Sequence, residues 1–599
     1  MTPRARERVA FGAVALVLGA CASAPLFISS NYPLFVLSLS IVNIIAVLGV
    51  NLVMGHAGQI SLGQAGFAAI GAYATALLVV NLDVSYWLAV PLGALLAAVS
   101  GYILGLPALR LGPLYVSMVT FGFGLIVVII VQNWYELANG PNGMVVPPPV
   151  FFGRELFPRE FHVAIVAIAA VLFLLARNIV DSKHGRAFIA IRESELAARG
   201  MGVNLAHYKT TAFALGAFYA GISGGLFAGL AQFINPDAFV FPVSILYVTM
   251  AILGGINTLV GAAIGGAMLT ALPELLRGAA EYKDFLTGFL LLLLLIFLPN
   301  GIVGFIRQHF AGALPAKSAY SVSGQVATHH VPPTTLQRRG RSETNTLLKV
   351  ENLSVSFGGL RALQNINLTL GSDEIVSVIG PNGAGKTTLF NLISGLDRPN
   401  TGRILLDGVD ITGWSAHSRA RLGIARTFQN LDLFGEMSVL DNVRVGAHVR
   451  LKSSLLQAAL RTKAERAEEA RYCDVAMDLL KFVGLRPYAN QRANSLAFGH
   501  QRLLEIARAL ASAPKLLLLD EPAAGLNSSE VDFLMDLIRR IRAEFGISVL
   551  LIGHTMRLVM MLSHRVMVLD HGVQLAEGLP SEIQQNARVI EAYLGADDA

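Results

Sequence analysis

The chain has 599 residues, of which 54% are hydrophobic and 14% charged, with a mean hydropathy of +0.58 and a formal net charge of +6. That length allows two or more domains, and the composition excludes a purely soluble protein. Two distant cysteines, Cys21 and Cys473, exclude a disulfide framework or a cysteine metal cluster, and basic residues beside membrane spans account for much of the positive charge without any nucleic acid.

The apolar excess lies before residue 306, and charge density rises after it. Residues 1–306 therefore read as an all-α polytopic membrane domain, 307–345 as a flexible linker and 346–599 as a soluble α/β domain. A membrane helix needs about 20 apolar residues. Candidate spans fall near 9–30, 34–54, 60–80, 87–109, 114–133, 161–178, 210–232, 242–256, 258–272 and 285–306. The run after Arg4, Arg6 and Arg8 imitates a secretory signal ending at Cys21, but it continues to Ile28 and leads into further spans, so it reads as a first helix. The eighth and ninth candidates are short and glycine-rich (Gly254, Gly255, Gly261, Gly265, Gly266); fused, they would give nine spans. A basic N-terminus belongs inside, and a soluble C-terminal half on the same side requires an even count, so about ten spans with broken or re-entrant segments are expected.

Loop charges agree. Lys183, Arg186, Arg192, Arg199 and Lys209 make 177–209 the most basic loop, hence cytoplasmic, while the proline-rich loop 134–160 faces outward. Asn51, Gln59, Ser61 and Gln64 lie among Gly55, Gly58, Gly63, Gly66 and Gly71. Small residues there serve close helix packing, and the amides either bond across it or line a translocation path. The absence of charge from the middle of every span argues against a carrier coupled to buried carboxylates. In the basic loop, residues 185–200 read as one short amphipathic helix with Ile189, Ile191, Leu196 and Ala197 among charges. It either lies on lipid or docks into a partner domain, and the soluble half supplies a socket.

Residues 307–345 lose all periodicity and end in basic Arg338-Arg-Gly-Arg341, as a polar linker does. Then the pattern turns to strands. Phe357 closes an alternating run and either stacks on adenine or serves as a strand core residue. After the β-branched run Ile375–Ile379 comes Gly380-Pro-Asn-Gly-Ala-Gly-Lys-Thr-Thr388, followed by a helix-like segment. Strand, G-x-x-x-x-G-K-T and helix make a P-loop: glycines clear the backbone N–H groups for phosphate, Lys386 reaches the β- and γ-phosphates and Thr387 coordinates Mg²⁺. Downstream lie Arg426-Thr-Phe-Gln-Asn430, then a glycine turn opening the helix from Ser495 to Leu510. A buried strand ends in Asp520-Glu521, and another delivers His554.

Taken together, GPNGAGKTT, Gln429, LAFGHQ, LLLLDEP and His554 resemble the nucleotide-binding domain of ABC transporters across the whole soluble half. VSFGGLRAL, ARTFQN, EPAAGLN and RVIEAYLG are similar to the ATP-binding subunit of branched-chain amino acid importers. NLVMGHAGQISLGQAGFAAIGAY and GRAFIAIRESELAARGMGV resemble the permease subunit of the same importers. The resemblance implies a permease fused to an ATPase, with ATP and Mg²⁺ as cofactors. It assigns Gly380, Asn382, Gly383, Gly385, Lys386, Thr387 and Thr388 to phosphate, and Leu496, Ala497, Gly499 and His500 to the γ-phosphate held by an opposite domain. Gln429 would sense the Mg²⁺-and-water site, Asp520 support Mg²⁺, Glu521 act as catalytic base and His554 touch the γ-phosphate. Departures stand out at three places: Ala497, Phe498 and His500 replace Ser, Gly and Gln of LSGGQ; Asn527 replaces Asp; Gly553 and Thr555 flank the histidine where Glu and Asp are usual.

The resemblance further implies a second permease and a second ATPase, or a homodimer, together with a periplasmic binding protein, in a bacterial inner membrane with the ATPase in the cytoplasm. Branched-chain amino acids lead as substrate, with other amino acids, urea and short amides as alternatives. An ATP-gated channel would show passive flux once ATP binds. A homodimeric exporter would carry longer cytoplasmic extensions than these inner loops offer.

Overall fold

The computed structural model describes residues 19, 21–28, 30–109, 111–275, 282, 288–289, 292–293, 296–298, 301–310 and 346–594. The expected spans at 9–30 and 285–306 are described only in part, and the linker lies outside these beyond residue 310. The chain divides into two compact units: residues 189–205 cluster with the soluble half, and residues 458–460 with the membrane half.

The membrane unit contains α1 (Asn31–Val50), continued by a π-helix over Asn51–His56, and then α2 (Gln64–Leu82), α3 (Tyr86–Gly105), α4 (Pro113–Asn133) and α5 (Pro158–Asp181). After α6 (Lys183–Glu193) and α7 (Glu195–Gly200) come α8 (Leu205–Ala231), α9 (Phe241–Gly254), α10 (Leu259–Leu275) and α11 (Gly301–Phe310). Among the described residues seven helices are long and apolar enough to cross a membrane, and Leu259–Glu274 is a shorter apolar one. The eighth and ninth candidates are two separate helices. Gly255, at φ +120, ends α9 in a conformation that favours glycine.

Backbone-to-backbone packing explains the glycine content. A Cβ on Gly71 would lie 2.2 Å from the Gly221 carbonyl oxygen, and one on Gly224 would lie 1.9 Å from that of Ala68. Helices α2 and α8 thus meet without side chains between them, the close approach that small residues permit.

The segment expected as one amphipathic helix is two. Ser194 adopts extended backbone and its hydroxyl accepts from the Ala197 N–H, capping α7. Leu196, expected on the apolar face, is exposed, while Ala197 and Ala198 are buried. Residues 189–205 pack within the second unit: a Cβ on Gly200 would sit 3.0 Å from the Phe428 ring, and one on Gly202 2.0 Å from Val449. The Glu193 carboxylate accepts from the Glu436 N–H at 3.1 Å.

The soluble half opens with strands β1 (Thr346–Phe357), β2 (Leu360–Gly371), β4 (Thr401–Leu406) and β5 (Val409–Asp410), an antiparallel sheet ordered β2-β1-β4-β5. A second sheet joins β6 (Ile424–Arg426), β7 (Leu516–Asp520), β8 (Ser548–Ile552), β3 (Ile375–Ile379), β9 (Arg565–Asp570) and β10 (Val573–Gly578) in that order, parallel except for the last pair. Every residue of β3, β7 and β8 is buried. Their mainly apolar runs follow from a parallel sheet covered on both faces. Among the helices that flank the sheets are α12 (Lys386–Ser394), α13 (Lys463–Phe482), α14 (Phe498–Leu510), α15 (Ser528–Phe545), α16 (Met556–Leu562) and α17 (Ala587–Leu594).

Candidate nucleotide site

Ligands of open parallel sheets bind outside the carboxyl ends of the strands. Adjacent strands β7, β8 and β3 deliver Asp520-Glu521, His554 and the P-loop to one such edge. Gly380, Gly383 and Gly385 all have positive φ, and a Cβ on Gly380 would sit 2.0 Å from the Leu569 carbonyl oxygen. Lys386 is buried, and its Nζ donates to the carbonyls of Gly380 and Pro381, each at 2.8 Å. Burial pushes its ammonium below the ordinary value, while Glu521 and Asp520 pull the other way. Thr387 opens to solvent at the start of α12, and Asn382 and Gly383 are exposed.

Asp520 is 1% exposed. Its Oδ2 accepts from Arg426 at 2.9 Å, and its Oδ1 has no partner. Burial raises its carboxyl above the usual range, although Arg426 opposes this. Arg426 also donates to Asn391 Oδ1 at 2.7 Å and to Ser394 at 3.2 Å, both on α12, and it lies over the rings of Phe390 and Phe428. It joins two strand ends to the P-loop helix. Glu521 follows at φ +45, and its Oε2 lies 3.4 Å from Nδ1 of the exposed His554. Beside His554 a cavity of about 380 Å³ is walled by Ile379, Met556, Met560, Ile590 and Tyr593, so α17 reaches the carboxyl end of the P-loop strand.

Gln429 is exposed, but its backbone is held. Arg502 donates to the carbonyls of Phe428 and Gln429, and Glu505 accepts from the Phe428 N–H at 2.7 Å. Both side chains are buried on α14 and paired at 2.9 Å. The turn Leu496–His500 opens that helix, and its neighbours are not P-loop residues. Phe498 faces Gly525, a Cβ on Gly499 would meet Glu530 at 2.5 Å, and the His500 ring lies 5.0 Å from that of Tyr488. Phe357 is half exposed at the end of β1. Asn527 caps α15, accepting from the Glu530 N–H at 3.0 Å while Glu530 accepts from the Asn527 N–H. Asn and Asp are equivalent in that capping role.

The structure thus gathers the P-loop, Asp520, Glu521 and His554 at one edge and leaves the signature turn to a different face of contacts. Sequence reasoning passed over Arg426, Arg502 and Glu505. An arginine closing the short apolar strand β6 was the available signal for the first. An i, i+3 Arg–Glu pair among the apolar residues of α14 was the signal for the others.

A parallel-sheet P-loop domain with a paired Asp-Glu strand end, a histidine one strand over and a helical signature is an ABC-type ATPase cassette. A family model described as the branched-chain amino acid transport system permease component matches residues 32–297, one for ABC transporters matches 363–524, and one for the branched-chain amino acid ATP-binding cassette transporter matches 574–599. Over 249 residues the chain is 46% identical to the high-affinity branched-chain amino acid transport ATP-binding proteins BraF of Pseudomonas aeruginosa and LivG of Escherichia coli, covering 98% of each and 42% of this chain. It is also 35% identical, over 98% of that protein and 42% of this chain, to the lipopolysaccharide export system ATP-binding protein LptB of Escherichia coli. The chain belongs to the branched-chain amino acid ABC transporter family, with permease and ATP-binding cassette in one polypeptide.

Proposed function

We propose that this chain is one permease-plus-motor half of an importer that uses ATP to carry branched-chain amino acids across a bacterial inner membrane, its cassette on the cytoplasmic side. The observation that carries the reading is the permease match over 32–297 in the same chain as a complete cassette edge. The cassette alone does not fix the cargo, since a lipopolysaccharide export protein is also similar to it.

ATP occupies the P-loop, with Lys386, Thr387, Thr388 and the loop N–H groups on its phosphates and Phe357 beside the base. Mg²⁺ fits the donor set: Asp520 has a buried, partnerless oxygen, and Thr387 offers a hydroxyl where the β- and γ-phosphates arrive. Among the described residues no cluster of three His, Cys, Asp or Glu forms a cage, as suits an ion shared with nucleotide phosphates. When bound, Mg²⁺ neutralises charge on those phosphates. Glu521 accepts the proton of the attacking water, His554 steadies Glu521 and the γ-phosphate, and Gln429 reports on the site. Leu496, Ala497, Gly499 and His500 complete a second cassette's site, so a second permease and ATPase, or a second copy, close the sandwich.

The packing of 189–205 beside Phe428 and Val449 supports transmission of that closure from the Gln429 segment. A periplasmic binding protein would deliver substrate to the loop 134–160, which exposes Phe151, Phe152 and Phe157. Glu521→Gln tests the chemistry. Hydrolysis should fall by about 100-fold or more, as for loss of a general base, with ATP still bound and leucine uptake abolished. Survival of both hydrolysis and uptake would refute the assignment.

A further inference from the structure

The chain between α1 and α2 turns among neighbouring helices. After Val50 it passes through the π-helix Asn51–His56 and then runs as a non-helical segment over residues 57–63 before α2 starts at Gln64. The start of α2 lies deep among its neighbours. Gln64 Nε2 donates to the carbonyls of Ala46 at 3.3 Å and Gly216 at 3.0 Å, and Leu62 N–H donates to Thr120 Oγ1 at 2.9 Å. Thr120 lies about two turns into α4 and Gly216 about three turns into α8, at 5.4 Å per turn. The chain therefore overshoots and doubles back inside the bundle. In a bilayer, irregular backbone persists only where protein encloses it or where it lines a cavity.

Two polar atoms in this break are buried and unused. Ser61 is 4% exposed and its Oγ has no partner. Asn51 is fully buried; its Nδ2 donates to the Thr258 carbonyl at 2.9 Å, whereas its Oδ1 has no partner. Each such atom costs free energy unless something satisfies it. Their chemistry differs by position. Ser61 brings an O–H donor to the positive end of α2, which favours an anion. Asn51 Oδ1 brings a lone acceptor, which favours a hydrogen-bond donor such as an ammonium. Helix α4 covers the site through small residues: a Cβ on Gly63 would lie 2.6 Å from the Thr120 carbonyl oxygen, and one on Gly66 2.9 Å from the Gly124 Cα. Such a face can part without disentangling side chains.

We propose that the break at 51–64 is the binding site of the permeant inside the membrane unit, taking an α-amino acid zwitterion with its carboxylate at Ser61 and the α2 N-terminus and its ammonium at Asn51 Oδ1. The proposal rests on amino-acid import being the function of the chain. A carboxylic acid without the amine, or an amide without the carboxylate, satisfies only one end.

The test uses the full chain with its partner subunits. Wild-type leucine uptake is measured first; a chain that hydrolyses ATP but accumulates no leucine refutes the substrate reading, and this site with it. With uptake established, Ser61→Ala and Asn51→Leu should each lower leucine uptake about tenfold or more, with ATPase rates within about twofold of wild type and Ser61→Thr retaining uptake. Wild-type uptake in both deletion variants overturns the site. A second measurement holds even if those variants fold poorly. In a Cys21→Ser, Cys473→Ser background, the Ser61→Cys thiol should be shielded from a small maleimide by leucine, but not by leucinamide or 4-methylpentanoate. Labelling indifferent to leucine, or blocked equally by all three, overturns it.

Discussion

At the scale of single residues, the carboxylate of Asp520 divides its labour: one oxygen is pinned by Arg426 and the other is kept free. Arg426→Met removes the pin and leaves a buried carboxylate without its cation, and an arginine-to-lysine change keeps charge while losing the fork that reaches Asn391 and Ser394. We expect the magnesium concentration for half-maximal ATPase to rise about tenfold to 100-fold in Arg426→Met, the range for losing an outer-shell partner of a metal ligand. Arg426→Lys should fall between. A magnesium titration at saturating nucleotide checks this, and an unchanged magnesium requirement would reduce Arg426 to a packing residue. Neighbouring strands carry a second ion pair, Arg565 with Glu374, at 2.8 Å. Burial alone would raise the Glu374 carboxyl, but Arg565 and the Gly371 N–H outweigh it and hold it below the ordinary value. A depressed carboxyl contributes stability above its unfolded value and loses it as pH falls through the folded one. The wild-type cassette should therefore lose more melting temperature than Glu374→Gln as pH drops from 5 to 3; parallel curves would contradict the linkage.

At the scale of elements, the legible features were those whose signal is contiguous. The β3–P-loop–α12 passage could be read because glycines, lysine and threonine sit within nine positions of one another. The all-buried strands announced themselves as apolar runs. Features set by convergence could not be read. Arg426 matters because α12, β6 and β7 meet, and the residues between the candidate spans 34–54 and 60–80 look like an ordinary connection until Leu62 is seen against Thr120 and Gln64 against Gly216. The split at Ser194 had a local signal, a serine able to cap a new helix, which the surrounding amphipathic pattern masked. Helix α7 also yields a prediction. Val449 leaves no space for a Cβ on Gly202, whose φ is +80, so Gly202→Val should displace the 189–205 segment. Leucine uptake should fall about tenfold, an order-of-magnitude expectation for a strained, overpacked contact, while ATPase activity persists. Equal losses of both would show a folding defect instead. At the head of α15, Asn527→Ala should cost about 1 kcal/mol of cassette stability and Asn527→Asp little, read by urea denaturation.

At the scale of the whole molecule, one P-loop and one signature turn lie in a single chain, and the signature's neighbours are Gly525, Glu530 and Tyr488 rather than the phosphate loop. Hydrolysis should then depend on a second cassette. We expect ATPase activity per chain to fall steeply on dilution in detergent and to be restored by adding a partner cassette, with the Glu521→Gln chain lowering the rate of the mixture. A rate per chain independent of dilution would mean that one cassette suffices.

The aromatic and polar clamp around Arg426 has a consequence for descent. Phe390, Asn391, Ser394, Phe428 and Asp520 all touch one guanidinium. Loss of either Arg426 or Asp520 alone strands a buried charge. Lineages that lose the arginine should have replaced its companions as a set, leaving a correlated block of substitutions scattered along the gene.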